Sequence, residues 1–336
     1  MSHTELHETN KDEFSRCEER GEIKGFGKSQ QNDSTIKEAV YQALWMDNVL
    51  RAIEYYEIDV HVKNGIVYLY GHIVGKTSQL RIMNAIRTVP GMLGTISHLV
   101  LDDRLTLDVA ESLGELERTY ACKFFTGTSH GVVSLNGNVS DQKIKILAEK
   151  CAAANPNVRG VMNHVHVLGV ESDEHEQPFL QPEIGKAIYF SDGVSGVVKQ
   201  VIINPNNRRV TAMIILGKFS SQQQELESLK DENARLSEQL IVVPMNVVRY
   251  LTKVSGFLYI TSKEKSRYME FDPSYFFIPK NNWMAPYPYC PNDVLFSVEY
   301  QVTDHQIVYG PDQLMFKETL GGASFKEQFF SNDSLA

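Results

Sequence analysis

His164 and His166 alternate with Val165 and Val167, so both project from one face of a strand at a spacing that permits a two-histidine metal site. No Cys, Asp or Glu stands beside them to complete a ligand set, and no metal is expected. Tyr68, Tyr70 and His72 also share one face of a strand. They are the candidate binding surface, open on sequence alone to a sister domain, a partner or a ligand. Asp102 and Asp103 read as a solvated acid pair between two elements. Gly25-Phe26-Gly27-Lys28-Ser29 has the ending of a phosphate-binding loop. The first glycine of such a loop would stand at Glu22, no strand precedes it and no apolar helix follows. With no Ser-His-Asp, Cys-His or paired-carboxylate arrangement, the expectation is no catalytic residue, no cofactor and no enzyme.

The elements that position these residues repeat. Val60 to Ile73 holds two alternating apolar runs around Lys63-Asn64-Gly65, and Asn-Gly is a strong hairpin signal. Gly131 to Val139 repeats Gly65 to Ile73 without a gap, and at the same offset of 66 Pro90 meets Pro156, Gly94 meets Gly160 and His98 meets His164. That makes seven identities over residues 65 to 98, where average composition supplies about two. Gly71 and Gly137 sit inside strands, where glycine marks a close backbone approach; a side chain at either is expected to meet the crossing helix.

Around the first hairpin, a helix is predicted from Asp33-Ser34-Thr35, with Thr35 and Glu38 as a capping box and Ile36, Val40, Ala43 and Leu44 inward. A second runs from Gly75 to Thr88 with Ile82, Met83, Ile86 and Val89 inward, and residues 93 to 101 close the unit as α-β-β-α-β. In the second copy Val109, Leu113 and Leu116 mark the first helix. Ile144, Leu147, Ala148, Cys151 and Ala152 mark the other, and residues 158 to 168 form the last strand.

The chain has 336 residues, 42% hydrophobic and 22% charged, enough for two or three domains. Its net charge of −9 disfavours nucleic acid and anionic membranes as bulk electrostatic partners. Cys17, Cys122, Cys151 and Cys290 form no CxxC pair and suit a reducing compartment. Residues 1 to 8 have neither the basic start nor the apolar run of a secretory signal, and no apolar stretch is long enough for a transmembrane segment. A cytoplasmic protein of bacterial type is expected.

The order Ile58, Val60, Val62, Gly65, Val67, Leu69, Gly71, Ile73, Pro90-Gly91, with Gly131, Val133, Leu135, Gly137, Val139, Val161 and Asn163, resembles the BON domain (bacterial OsmY and nodulation). Gly65, Gly71, Gly131 and Gly137 fall on its structural motif. The resemblance implies no catalysis. It implies envelope or phospholipid interaction, stress response, and small-ligand binding. Gly185, Asp192-Gly193, Gly196, Val198, Asn204-Pro205 and Val210, with Val242-Val243-Pro244, resemble a PRC barrel, which implies a small β-barrel engaged in protein interaction.

The expected class is therefore α+β. A disordered tail spans 1–32, BON-like domains span 33–103 and 104–170, and an acidic linker spans 171–183. A PRC-like barrel spans 184–302 and a C-terminal tail 303–336. Within the barrel, Leu226, Leu229, Asn233, Leu236 and Leu240 place a heptad on an inserted helix at 222–240, either a dimer seam or local packing. Prolines and aromatics over 271–293 read as an extended strap. The function expected is a binding or adaptor protein, sensing a small ligand, ion or phospholipid and contacting a protein partner or itself. The alternative is a structural homo-oligomer assembled through 222–240, and a remote one is an enzyme of unknown class.

Overall fold

The computed structural model describes residues 28–170, 178–219, 238–252, 254–280 and 282–298. It divides into two compact units. The first holds residues up to 171 together with Pro286–Cys290, and the second holds the remainder of the chain from Ser172.

The first unit is built twice on the same plan. In its first domain α1 (Lys28–Met46) and a short α2 (Asn48–Ile53) precede β1 (Ile58–Lys63) and β2 (Ile66–Ile73), and α3 (Lys76–Ile86) leads to β3 (Gly94–Leu101). β1 and β2 form an antiparallel hairpin, and α3 returns the chain so that β3 lies parallel to β2. Ile36, Val40 and Leu44, spaced four apart, align on the inner stripe of α1. They are buried with Val60, Val67, Leu69, Ile73, Ile82 and Ile86. The predicted α-β-β-α-β order and apolar stripes of this domain are those observed. Its start is not: residues 28–32 are already helical, so Asp33 lies within α1 and not at its cap.

The second domain follows without a linker. β3 ends at Leu101 and α4 (Asp102–Tyr120) begins at the next residue, followed by β4 (Lys123–Ser129), β5 (Val132–Val139), α5 (Gln142–Ala153) and β6 (Gly160–Val167). The pairing repeats that of the first domain, antiparallel β4 to β5 and parallel β5 to β6. Val109, Leu113, Ile144, Ala148 and Ala152 fill the core against Val133, Leu135, Val161 and Val165. Leu147, expected inward, is 38% exposed.

Gly71 and Gly137 confirm the close approach but not its partner. Both adopt left-handed backbone, with φ +125° and +146°. A Cβ on either would collide with the carbonyl oxygen of the neighbouring segment, Glu57 or Lys123. The obstacle is the backbone of the segment beside the strand, and not the crossing helix.

The second unit is one large sheet. Its strands are β7 (Ala187–Tyr189), β8 (Ser195–Ile203), β9 (Val210–Lys218), β10 (Glu238–Pro244), β11 (Val248–Leu251), β12 (Ser255–Leu258), β13 (Met269–Glu270), β14 (Phe276–Phe277) and β15 (Val294–Ser297). The path runs β11-β12-β7-β8-β9-β10-β13, with β15 also on β8. Among the described residues β11 and β13 do not pair with each other, so the sheet curls without closing into the expected barrel. The heptad at 222–237 lies outside the described residues. Its last leucine, Leu240, is a strand residue opposite Leu216, so an inserted helix cannot extend to 240. The strap over 271–293 divides: Phe271 and Phe276 pack on the sheet core around Ile202, Ile214 and Val242, whereas 286–290 belong to the first unit. The expected tail, 303–336, lies outside the described residues.

Candidate functional site

Both hairpin turns of the first unit are held by a carboxylate. Asn64 and Gly65, like His130 and Gly131, take left-handed backbone at consecutive residues, which turns their N–H groups to one side. In the first domain Asp33 accepts from the amides of Asn64 and Gly65, both at 2.8 Å. In the second Asp102 accepts from His130 at 2.5 Å and Gly131 at 2.9 Å. Asp102 also opens the 19-residue α4, where the helix dipole favours negative charge. It is 4% exposed. The sequence reading of Asp102 as a solvated linker acid is therefore corrected; it is buried and accepts from two backbone amides of the turn, which makes it a structural latch.

Because β3 runs straight into α4, Asp102 also reaches back to the first domain. His72, on the outer face of β2, places Nδ1 3.5 Å from Asp102 Oδ1, a separation at which no hydrogen bond forms. A Cβ at Gly131 would lie 2.5 Å from the His72 ring, so the second domain's turn rests directly on that imidazole. Val100, beside His72 in the parallel register, packs on the second domain's core.

Arg159 completes the junction. Its Nη1 meets Glu57 Oε2 at 2.9 Å and donates to the His130 carbonyl at 3.0 Å. Its guanidinium lies 5.4 Å over the Tyr287 ring. Tyr287 donates its hydroxyl to Asp59 Oδ2 and sets its ring edge-on to His72, 6.0 Å between centroids. Burial lowers the His72 pKa, since an imidazolium there loses its water; the Asp102 carboxylate opposes this and Arg159 reinforces it.

Of the three residues read as a binding surface, the structure places two inside the unit. His72 is 2% exposed and Tyr70 6%, the latter stacked on His98 with centroids 4.9 Å apart and edge-on to His61. Tyr68 is half-buried. His72, Asp102 and Tyr287 have the residue types of an acid–base site, but a 2% exposed imidazole offers a substrate no approach. Sequence reasoning missed Glu57, Arg159 and Tyr287, whose meeting depends on chain separations of 102 and 128 residues. Asp102 left a trace: like Asp33, it is an acid just ahead of a helix's apolar stripe.

On the second domain the equivalent sheet face is open. Phe125 is 65% exposed, and Asn136, Asn138, His164 and His166 are exposed beside it in register. Among the described residues no three His, Cys, Asp or Glu side chains are grouped to hold a metal. Cys122 and Cys151 are free thiols, whereas Cys290 is disulfide-bonded.

Residues 32–103 and 127–169 match the BON domain family, so the first unit carries two BON domains in tandem. No curated protein matches the chain. Among solved structures it is similar to CdsD, a structural protein of the type III secretion system of Chlamydia trachomatis. That similarity covers 40% of this chain and 63% of that one at 13% identity, with a TM-score of 0.32. The C-terminal domain of CdsD matches over 38% and 63%, at 11% identity and a TM-score of 0.31. The chain thus spans less than two thirds of either structure, and likeness at this level says nothing of what it binds.

Proposed function

We propose that this chain is a non-enzymatic binding protein whose tandem BON unit docks on phospholipid through the outer sheet face of its second domain. The supporting observation is the contrast between the two equivalent faces. On the first, His72 lies under the Gly131 turn and Tyr287, Tyr70 is packed against His98 and His61, and Glu57 and Asp59 are engaged by Arg159 and Tyr287. The second exposes a phenylalanine among two asparagines and two histidines, with no acidic side chain on the face itself; Lys123 at its margin pairs with Glu117 at 3.1 Å. An exposed aromatic ringed by hydrogen-bonding groups suits the boundary between headgroup and acyl chain.

The role requires no spanning segment, and no described helix is long and apolar enough to cross a membrane. A cytoplasmic placement loses its cysteine argument, since Cys290 is disulfide-bonded. For the second unit the PRC-like reading, and with it protein interaction, remains part of this proposal. Co-sedimentation with phosphatidylglycerol and phosphatidylcholine vesicles tests the docking face. Wild type is expected to pellet with vesicles, and Phe125→Asp to stay in solution with an unchanged melting temperature. Wild type that pellets with neither vesicle overturns the phospholipid reading, and a variant that still pellets overturns the face.

A further inference from the structure

The two ends of the second unit's sheet differ. At one end β13 is two residues long, Met269–Glu270, and a very short edge strand is one way natural sheets prevent further pairing. At the other end β11 pairs with β12 alone among the described residues, which leaves backbone N–H and C=O groups along its outer side open to another strand. The one charge on β11, Arg249, is the extra residue of a bulge. Its guanidinium lies 6.0 Å over the Tyr259 ring, drawn back over the residue that follows β12 and not held across the edge.

A row of aromatic rings ends at this edge. Tyr250 stands opposite Phe257 on β12, and Phe257 stands opposite Tyr189 on β7. The rings stack with centroids 4.8 Å and 5.2 Å apart, each pair inclined by 24°. Stacked in this way they spend their faces on one another, so the row offers no flat platform to a base or a sugar. What it leaves open is the face of Tyr250 turned to the edge of the sheet. Tyr250 is 45% exposed, and beside it Val254 at the hairpin tip is 72% and Tyr259 65% exposed.

The partner that fits is a strand that adds to β11 and carries a ring into the next place of the row. β11 is itself such a strand. We propose that the second unit self-associates by antiparallel pairing of β11 with β11 of a second copy, about a two-fold axis at Tyr250. The axis sets the two Tyr250 rings against each other and continues each row into its counterpart. The same count places Arg249 opposite the second copy's Leu251, so the two arginines are not directly opposed. Tyr250, Val254 and Tyr259 together expose on the order of 300 Å², less than half of the roughly 800 Å² that each partner buries in a standard interface. The dimer is therefore weak and concentration-dependent, with a Kd of about 1–100 µM.

Sedimentation velocity of the full chain from about 1 to about 200 µM tests the seam. Wild type is expected to pass from monomer to dimer over that range. Tyr250→Lys sets two like charges face to face and should weaken association at least about tenfold, with the melting temperature of the dilute protein unchanged. In a background of Cys122→Ser and Cys151→Ser, Tyr250→Cys should form a disulfide-linked dimer on mild oxidation at about 200 µM. Opposed residues of antiparallel strands lie about 4.5–5.5 Å apart between Cα atoms, within the reach of a disulfide. Val254→Cys in the same background lies off the axis and should stay unlinked. A wild type that is still monomeric at the highest concentration overturns the proposal, and so does a dimer that persists in folded Tyr250→Lys. Linkage at Val254 as ready as at Tyr250 overturns the register. If Tyr250→Lys fails to fold, the cross-linking pair decides: linkage at Tyr250 alone supports the seam, and no linkage at Tyr250 removes it.

Discussion

His72 is the residue at which burial and charge conflict most directly. An unfolded imidazole titrates near 6.5, and in the folded chain the value lies lower because the ring is buried. As pH falls, the unfolded state takes up the proton first, so stability is present above about 6.5 and declines as pH passes below it. For one group the slope is at most about 1.4 kcal/mol per pH unit. Urea unfolding at pH 7.5 and 5.5 should show wild type losing more stability across this interval than His72→Gln; equal losses would remove His72 as the source. Gly131 opposes the same ring and carries φ +76°. Gly131→Ala should cost about 2 kcal/mol or more through overpacking and strain. Combining it with His72→Ala should recover the overpacking part and leave the strain, a non-additivity that a double-mutant cycle measures.

At the scale of the element, the hairpin is the repeated unit and its carboxylate latch is what differs between copies. Asp33 acts from inside a helix and is half-buried; Asp102 acts from a helix start and is buried. Both turns bury a glycine amide, Gly65 or Gly131, but the bonds to Asp33 are exposed and part-buried, whereas those to Asp102 are part-buried and buried, so removing Asp102 orphans donors that water reaches less easily. Asp102→Ala should therefore cost about 2–4 kcal/mol and Asp33→Ala about 1 kcal/mol, since charged acceptors contribute more and buried orphans cost more. Chemical denaturation of the two variants checks the ranking, and equal losses would contradict it. The hairpins were legible in sequence because alternation and Asn-Gly chemistry are local. The latches were not, since the same aspartate reads equally well as a linker residue.

For the whole molecule the telling feature is the return of the chain. It leaves the first unit at 171 and contributes to it again at 286–290, bringing Tyr287 under Arg159. Cation–π contacts contribute about 0.5–2 kcal/mol according to their exposure. Arg159 is 13% exposed, so a cycle of Arg159→Ala and Tyr287→Leu should give a coupling of at least about 0.5 kcal/mol. Additive losses would show that the two side chains stabilise the unit independently. Tyr287→Phe, which keeps the ring and removes only the hydroxyl given to Asp59, should retain that coupling.

Sequence alone determined the α+β class, the duplication, the main strand and helix order of both BON domains, and most of their core positions; the short α2 with its buried Leu50, and Leu105 and Phe124, were not among them. The elements and their inward faces follow from periodicity within some twenty residues, and the duplication from identities at a fixed offset of 66. It also marked Gly71 and Gly137, although only the backbone geometry identifies the carbonyls they avoid. The tertiary structure decided which sheet face is closed and which is open. Tyr70 and His72 have the same alternation as Asn136 and Asn138, and nothing in that pattern records that Gly131 and Tyr287 arrive over His72 while no such contact reaches Asn138 among the described residues. The fate of a strand's outer face depends on contacts made 59 and 215 residues away along the chain from His72, whereas the pleat that creates the face is set by the strand itself.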